Sequence, residues 1–179
     1  MAEIEIRPAI SNDIAALESF DTSCETTHVW QIDSHLSKDH ITYELKEARL
    51  PRILRLPYPP RMESLKDTWT RHSLFLVARC EEQLVGYLIL DDRPDLAAAL
   101  ISDIVVTPPM RRQGIASALL LAAQEWLKTK RVARLMMVVP AKNHPMIEML
   151  RKLRFEFCGL ADGYYPNHDM AFIYIHTLK

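Results

Sequence analysis

Apolar residues recur along the chain with two different periods, and the places where the period changes mark the elements. "IEIRPA" alternates and predicts a first strand. "SNDIAALESF" then sets Ile14, Leu17 and Phe20 at helical spacing, with Ser11 or Asn12 as the expected cap. "ITYELKEARL" alternates Ile41, Tyr43 and Leu45 as a strand does, although Ile41, Leu45 and Ala48 also suit a helix. The strand reading, paired with "RILRLPY", is preferred. "PPRMESLKDTWTRH" predicts a short helix entered through its prolines.

From Leu74 onward the pattern tightens. "LFLVARC" and "LVGYLIL", separated by "EEQ", predict a hairpin, and "ALISDIVV" a third buried strand stopped by Pro108 and Pro109. "GIASALLLAAQEWLKTK" carries Ile115, Leu119, Ala122, Ala123, Trp126 and Leu127 on one helical stripe, with Lys128, Lys130 and Arg131 in its last turn. "VARLMMVV" is apolar on both faces, as in a covered parallel strand. "HPMIEMLRKL" predicts a helix behind Asn143, and "FEFCGL" and "MAFIYIHTL" predict closing strands. A strand, helix, strand, helix, strand, strand order from residue 98 implies a mixed α/β domain with one βαβ crossover.

Composition narrows the class. With 179 residues, no repeat and no Gly/Ser linker, the expectation is one domain spanning 1–179. A formal net charge of -1 gives no global field for nucleic acid or an anionic membrane. No apolar run approaches the roughly 20 residues that span a bilayer, and the start does not read as a signal or transit peptide. Cys24, Cys80 and Cys158 are odd in number and lack CxxC spacing, and no histidine pair reads HxH or HExxH. A cytoplasmic protein with reduced thiols and no metal site is therefore expected.

One stretch defies local electrostatics. In "PPMRRQGIA", residues 108–116, Arg111 and Arg112 stand at the start of a helix, where the dipole disfavours cations. An anion at the helix mouth resolves this. Backbone N–H groups from Arg112 through Gln113, Gly114 and Ile115 to Ala116 would face phosphate oxygens, and small residues there, with Ser117, would admit a close approach. Solvated turn arginines are the competing reading. Neither GxxxxGK[ST] nor GxGxxG is present, so neither a Walker loop nor a dinucleotide fingerprint explains the stretch.

"IVVTPPMRRQGIASALL" resembles the acyl-CoA-binding motif of the GNAT N-acetyltransferases, [RQ]xxGx[GA], with Arg111, Gly114 and Ala116 at its fixed positions. The order of elements agrees over nearly the whole chain. "DTSCETTHVWQID", and "FEFCGL" with Tyr165 six residues after its glycine, are similar to the streptothricin acetyltransferase branch. The resemblance implies a mixed α/β acyl-CoA N-acyltransferase fold whose central mixed sheet splays, with the pantetheine arm of acetyl-CoA in the gap. It implies that Ile104, Val105 and Val106 pair with that arm, that Arg111 to Ser117 hold the pyrophosphate, and that Asn143 meets the arm as well as capping its helix. It admits a homodimer, since members often pair.

The catalytic end departs from the family pattern. The position of a common central-strand Glu is Ser102, and the position of the usual thiolate-protonating Tyr is Leu150. Arg154 stands where a Gly is common. Asp103 is the nearest carboxylate, on the far face unless a bulge intervenes. "GYYPNHD" offers Tyr165, then Tyr164, as a general acid and His168 as a base. Trp30, Tyr58 and Trp69 with Asp33, Asp91 and Asp92 form a candidate pocket for a cationic amine, against the plainer reading of core tryptophans and a solvated turn. The implied activity is acetyl transfer from acetyl-CoA to a primary amine of a small molecule. Protein N-terminal or lysine acetylation, or a non-catalytic acyl-CoA sensor, are the alternatives.

Overall fold

The structure, a computed structural model, describes residues 3–57 and 63–178. In chain order its elements are β1 (Ile4–Pro8), α1 (Ser11–Glu18), β2 (Cys24–Leu36), β3 (Ile41–Leu56), α2 (Leu65–Thr68), β4 (Leu74–Cys80) and β5 (Gln83–Arg93). There follow β6 (Ala98–Val106), α3 (Ile115–Leu127), β7 (Arg134–Pro140), α4 (His144–Lys152), β8 (Glu156–Ala161) and β9 (Ala171–Thr177). Seven strands form one sheet in the order β1-β4-β5-β6-β7-β9-β8, and β2 pairs with β3 in a separate ribbon. Only the β6–β7 pair is parallel, so the mixed α/β sheet expected from the sequence is present.

Each face of the sheet buries a different set of helices. Leu88, Leu90, Ile101, Ile104 and Val106 pack against the Ile115, Leu119, Leu120, Ala123 and Leu127 stripe of α3. Each fully buried leucine there contributes roughly 1.5–3 kcal/mol of transfer free energy. Phe75, Val77, Tyr87, Ile89 and Val105, one position out of phase on their strands, meet Ile14 and Leu17 of α1 and Leu65 of α2.

The sheet opens between its two parallel strands. β6 and β7 stay in register from Ala98/Arg134 only to Ile101/Met137. Beyond that point β6 continues beside β5 alone, and β7 beside β9 alone. β6 bulges where they part: Ile89 faces Asp103 and Leu90 faces Ile101, which leaves Ser102 as the extra residue.

Three local expectations need correction. "ITYELKEARL" and "RILRLPY" do not pair with each other. As far as Leu56 both belong to β3, whose partner is β2. The proline explains the difference: the register jumps between Thr26/Leu54 and His28/Arg49, so Pro51 sits in an irregularity, where its missing N–H costs nothing. α1 begins at Ser11, and neither Ser11 nor Asn12 caps it. The carboxylate of Asp13 accepts the Ile10 N–H at 2.9 Å and pairs with Arg7 at 2.7 Å. Finally, the cations after α3 lie past its last turn, where Lys128 pairs with Glu125 and Lys130 sits 4.6 Å from the Trp126 ring centroid. The short helix is seen as α2, while its proline-led entry and Tyr58 lie outside the described residues. No helix among the described residues is long and apolar enough to cross a membrane.

Candidate active site

The loop between β6 and α3 is a backbone device. After a one-turn 3-10 segment at Pro108–Met110, Arg112 takes a φ of 64° and Gly114 one of 84°. These left-handed residues turn the chain so that α3 begins at Ile115, with the Ala118 N–H donating back to the Gly114 carbonyl at 2.9 Å. The earlier N–H groups of a helix have no acceptor within it, so they form a positive mouth, with no acidic residue in the first turn to satisfy it. A Cβ placed on Gly114 would meet nothing within 4 Å, so the space over the mouth is open.

The two arginines divide their work. Arg111 folds back, its Nε donating to the Val106 carbonyl at 2.8 Å and Nη2 to the Asp21 carbonyl at 3.1 Å. Arg112 and Gln113 are exposed. The side chains of Ile104, Val105, Val106 and Ile115 are all buried, leaving only their backbone to meet a ligand. That backbone is where β6 has lost β7 as a neighbour. Open N–H groups at a helix mouth, an exposed cation and an unpaired strand edge together fit a phosphate-bearing, amide-rich arm.

A cleft of about 510 Å³ is lined among others by Cys24 and Leu56 of the ribbon, Pro140, Asn143, Tyr165 and Asp169. Asn143 caps α4, its Oδ1 accepting the Met146 N–H at 3.2 Å, and the Cys24 thiol lies 3.5 Å from the same oxygen. Burial pushes the Cys24 thiol up from its ordinary range, with the Arg111 charge opposing. Tyr165 is held in a turn by its N–H to the Asp169 carbonyl at 3.2 Å, and Asp169 pairs with Lys142. Burial, then the nearby Tyr164 and Asp169, raise the Tyr165 phenol well above its usual value, so it stays a neutral O–H donor. The remaining loop candidates, Tyr164 and His168, are exposed.

On the opposite face, Asp103 is 4% exposed and accepts from the Tyr87 hydroxyl at 3.0 Å. Ser102 donates through Oγ to Asp91 Oδ2, and Asp91 Oδ1 meets His72 Nδ1 at 2.8 Å. Sequence reasoning missed His72. Nothing local marks it, because its hydrogen-bond partner Asp91 lies 19 positions away and reaches it only once the strands pair. Leu150 is fully buried in the main core. Arg154 adopts a φ of 61°, the conformation that makes glycine common there. The expected aromatic and acidic pocket does not assemble: Trp30 packs with the α3 and α4 cluster and Trp69 with the α1 and α2 cluster, on opposite faces.

The sequence profile of the Acetyltransferase (GNAT) family matches residues 40–155. The chain belongs to that family. This GNAT protein is 25% identical over 166 residues to the streptothricin acetyltransferase of Streptomyces lavendulae, covering 90% of this chain and 86% of that one. It is 28% identical over 151 residues to an N-alpha-acetyltransferase of Saccharolobus solfataricus, covering 78% and 89%. Among solved structures, nourseothricin acetyltransferase superposes with a TM-score of 0.84 at 23% identity, over 98% of this chain and 99% of that one. A Bacillus anthracis structure in complex with acetyl coenzyme A superposes with a TM-score of 0.76 at 17% identity, over 98% and 99%. The GNAT fold and N-acetyltransferase class read from the sequence are thus found, and GNAT acetyltransferases use acetyl-CoA.

Proposed function

We propose that this GNAT protein transfers the acetyl group of acetyl-CoA to a primary amine of a small molecule, all within the one domain 1–179. The observation that carries the reading is the cleft of about 510 Å³ lined by the ribbon and the Tyr165–Asp169 turn, a volume of the size that small-molecule sites have. Similarity to proteins named streptothricin and nourseothricin acetyltransferases supports the same class.

In this reading the N–H groups from Arg112 to Ser117 hold the pyrophosphate and Arg112 adds its charge. The open edge of Ile104, Val105 and Val106, with the Asn143 side chain, holds the amide-bearing arm. Acetyl-CoA, when bound, supplies an activated thioester. A backbone N–H of the same edge steadies the negative charge that develops on the carbonyl oxygen. Tyr165, neutral through burial, gives its proton to the departing sulfur and recovers one from the new amide nitrogen. Asp103, fixed by Tyr87, enters as a buried carboxylate on the acceptor side.

The test is release of CoA thiol with streptothricin, spermidine, kanamycin, and peptides beginning with Ala or Ser. The reading expects the highest kcat/KM with one of the three small molecules. A peptide preferred by about tenfold or more over all three, a difference of about 1.4 kcal/mol in transition-state binding, would overturn it.

A further inference from the structure

We propose that His72 takes the proton of the attacking amine, with Asp91 fixing its tautomer and Ser102 tying the pair to the point where the sheet opens. The inference rests on the amine-acetylation reading above. A primary aliphatic amine is protonated at neutral pH, with a pKa near that of Lys at ~10.4, so it must lose a proton before it attacks. Imidazole is the side chain best matched to that exchange near neutrality.

The bulge brings the required geometry together. Ser102 is the first β6 residue past the last β7 pair, Ile101/Met137, so its hydroxyl marks the vertex of the opening. That hydroxyl donates to one oxygen of Asp91, and the other oxygen meets His72 Nδ1 at 2.8 Å. A carboxylate on Nδ1 places the hydrogen there and leaves Nε2 with its lone pair, the relation that orients a catalytic imidazole. The Phe75 ring meets His72 edge-on, with centroids 6.5 Å apart. No partner for Nε2 occurs among the described residues. Asp91 lies on the Tyr87 and Ile89 side of β5, the face that also carries Asp103. Of the two carboxylates, Asp103 is sealed under Tyr87, whereas the His72–Asp91 pair keeps contact with solvent, its side chains 19% and 33% exposed.

The step balances. The ammonium proton passes to His72 Nε2 and on to solvent, and the imidazolium is stabilised by the Asp91 carboxylate. The freed nitrogen lone pair forms the C–N bond as the C–S bond breaks, and the second proton shed by nitrogen replaces the one Tyr165 gives to sulfur.

Two measurements test this. Imidazole nitrogen NMR of the parent at neutral pH should show His72 protonated at Nδ1 and bare at Nε2, shifting toward the other tautomer in Asp91→Asn. The five-acceptor assay should show His72→Gln losing about 100-fold or more in kcat, and Asp91→Asn about tenfold, with KM for acetyl-CoA unchanged. Retained thermal protection by acetyl-CoA shows that each variant is folded. A parent His72 protonated at Nε2 overturns the proposal, and so does a His72→Gln kcat within about threefold of the parent. If the parent itself turns over none of the acceptors, the amine-acetylation reading fails and takes this inference with it. If the parent is active and His72→Gln is unimpaired, this inference alone fails.

Discussion

Arg111 Nε lies 2.8 Å from the carbonyl oxygen of Val106, so a cation placed against the α3 dipole is spent inside the protein. Together with its bond to Asp21, it fastens the end of β6 and the α1–β2 connection around the mouth of α3. Arg111→Met removes two charge-assisted bonds and should cost about 2 kcal/mol. For a chain of this size that lowers Tm by about 4–8 °C. Arg111→Lys should recover little of it, because one ammonium does not reproduce a fork aimed at two carbonyls. Thermal unfolding of the three proteins measures both.

Gly114 tests the donor site separately. At a φ of 84° any side chain is strained, and an aspartate adds negative charge to the open space above the mouth. The quantity to follow is the shift that ligand produces, not the starting Tm. Acetyl-CoA at about 100 times its Kd should stabilise the parent by about 2.7 kcal/mol, and Gly114→Asp should lose most of that shift. An undiminished shift would place the pyrophosphate elsewhere.

Tyr165→Phe removes a proton donor while keeping the ring that lines the cleft. The expected result is a kcat lowered by about 100-fold with little change in the KM for acetyl-CoA, read from initial rates. An unchanged kcat would remove Tyr165 from the mechanism.

The Arg7–Asp13 pair sets the acid limit of α1. The hydrogen bond from Arg7, aided by the Ile10 N–H, holds the Asp13 carboxyl below its ordinary range, against the opposing effect of burial. A depressed folded-state value contributes stability above the unfolded pKa of about 4, lost as pH falls through the lower folded value. Asp13→Asn should therefore cost about 2 kcal/mol at pH 7, and the difference from the parent should shrink below about pH 4. Denaturant titrations at the two pH values measure this.

What the sequence made legible follows the range of the interactions. The α3 stripe and the β4–β5 hairpin are set by neighbours a few positions away, and periodicity with turn chemistry recovers them. The β2–β3 ribbon was misread because its outer positions face solvent on both sides, so alternation carries little information, and because Pro51 interrupts the strand without ending it. The vertex was illegible for another reason. A bulge at Ser102 changes which side chains share a face, and His72, Asp91 and Ser102 meet only once three strands are paired in register. A regular alternation applied to β6 does not reveal that.

The most direct test of the account is CoA release from acetyl-CoA by the parent protein with streptothricin, spermidine and kanamycin, with the product mass recorded. The account predicts amine-dependent release of thiol and a product heavier by one acetyl group. Thermal stabilisation by acetyl-CoA without amine-dependent thiol release from any acceptor, peptides included, would contradict it and mark the fold as a binding domain.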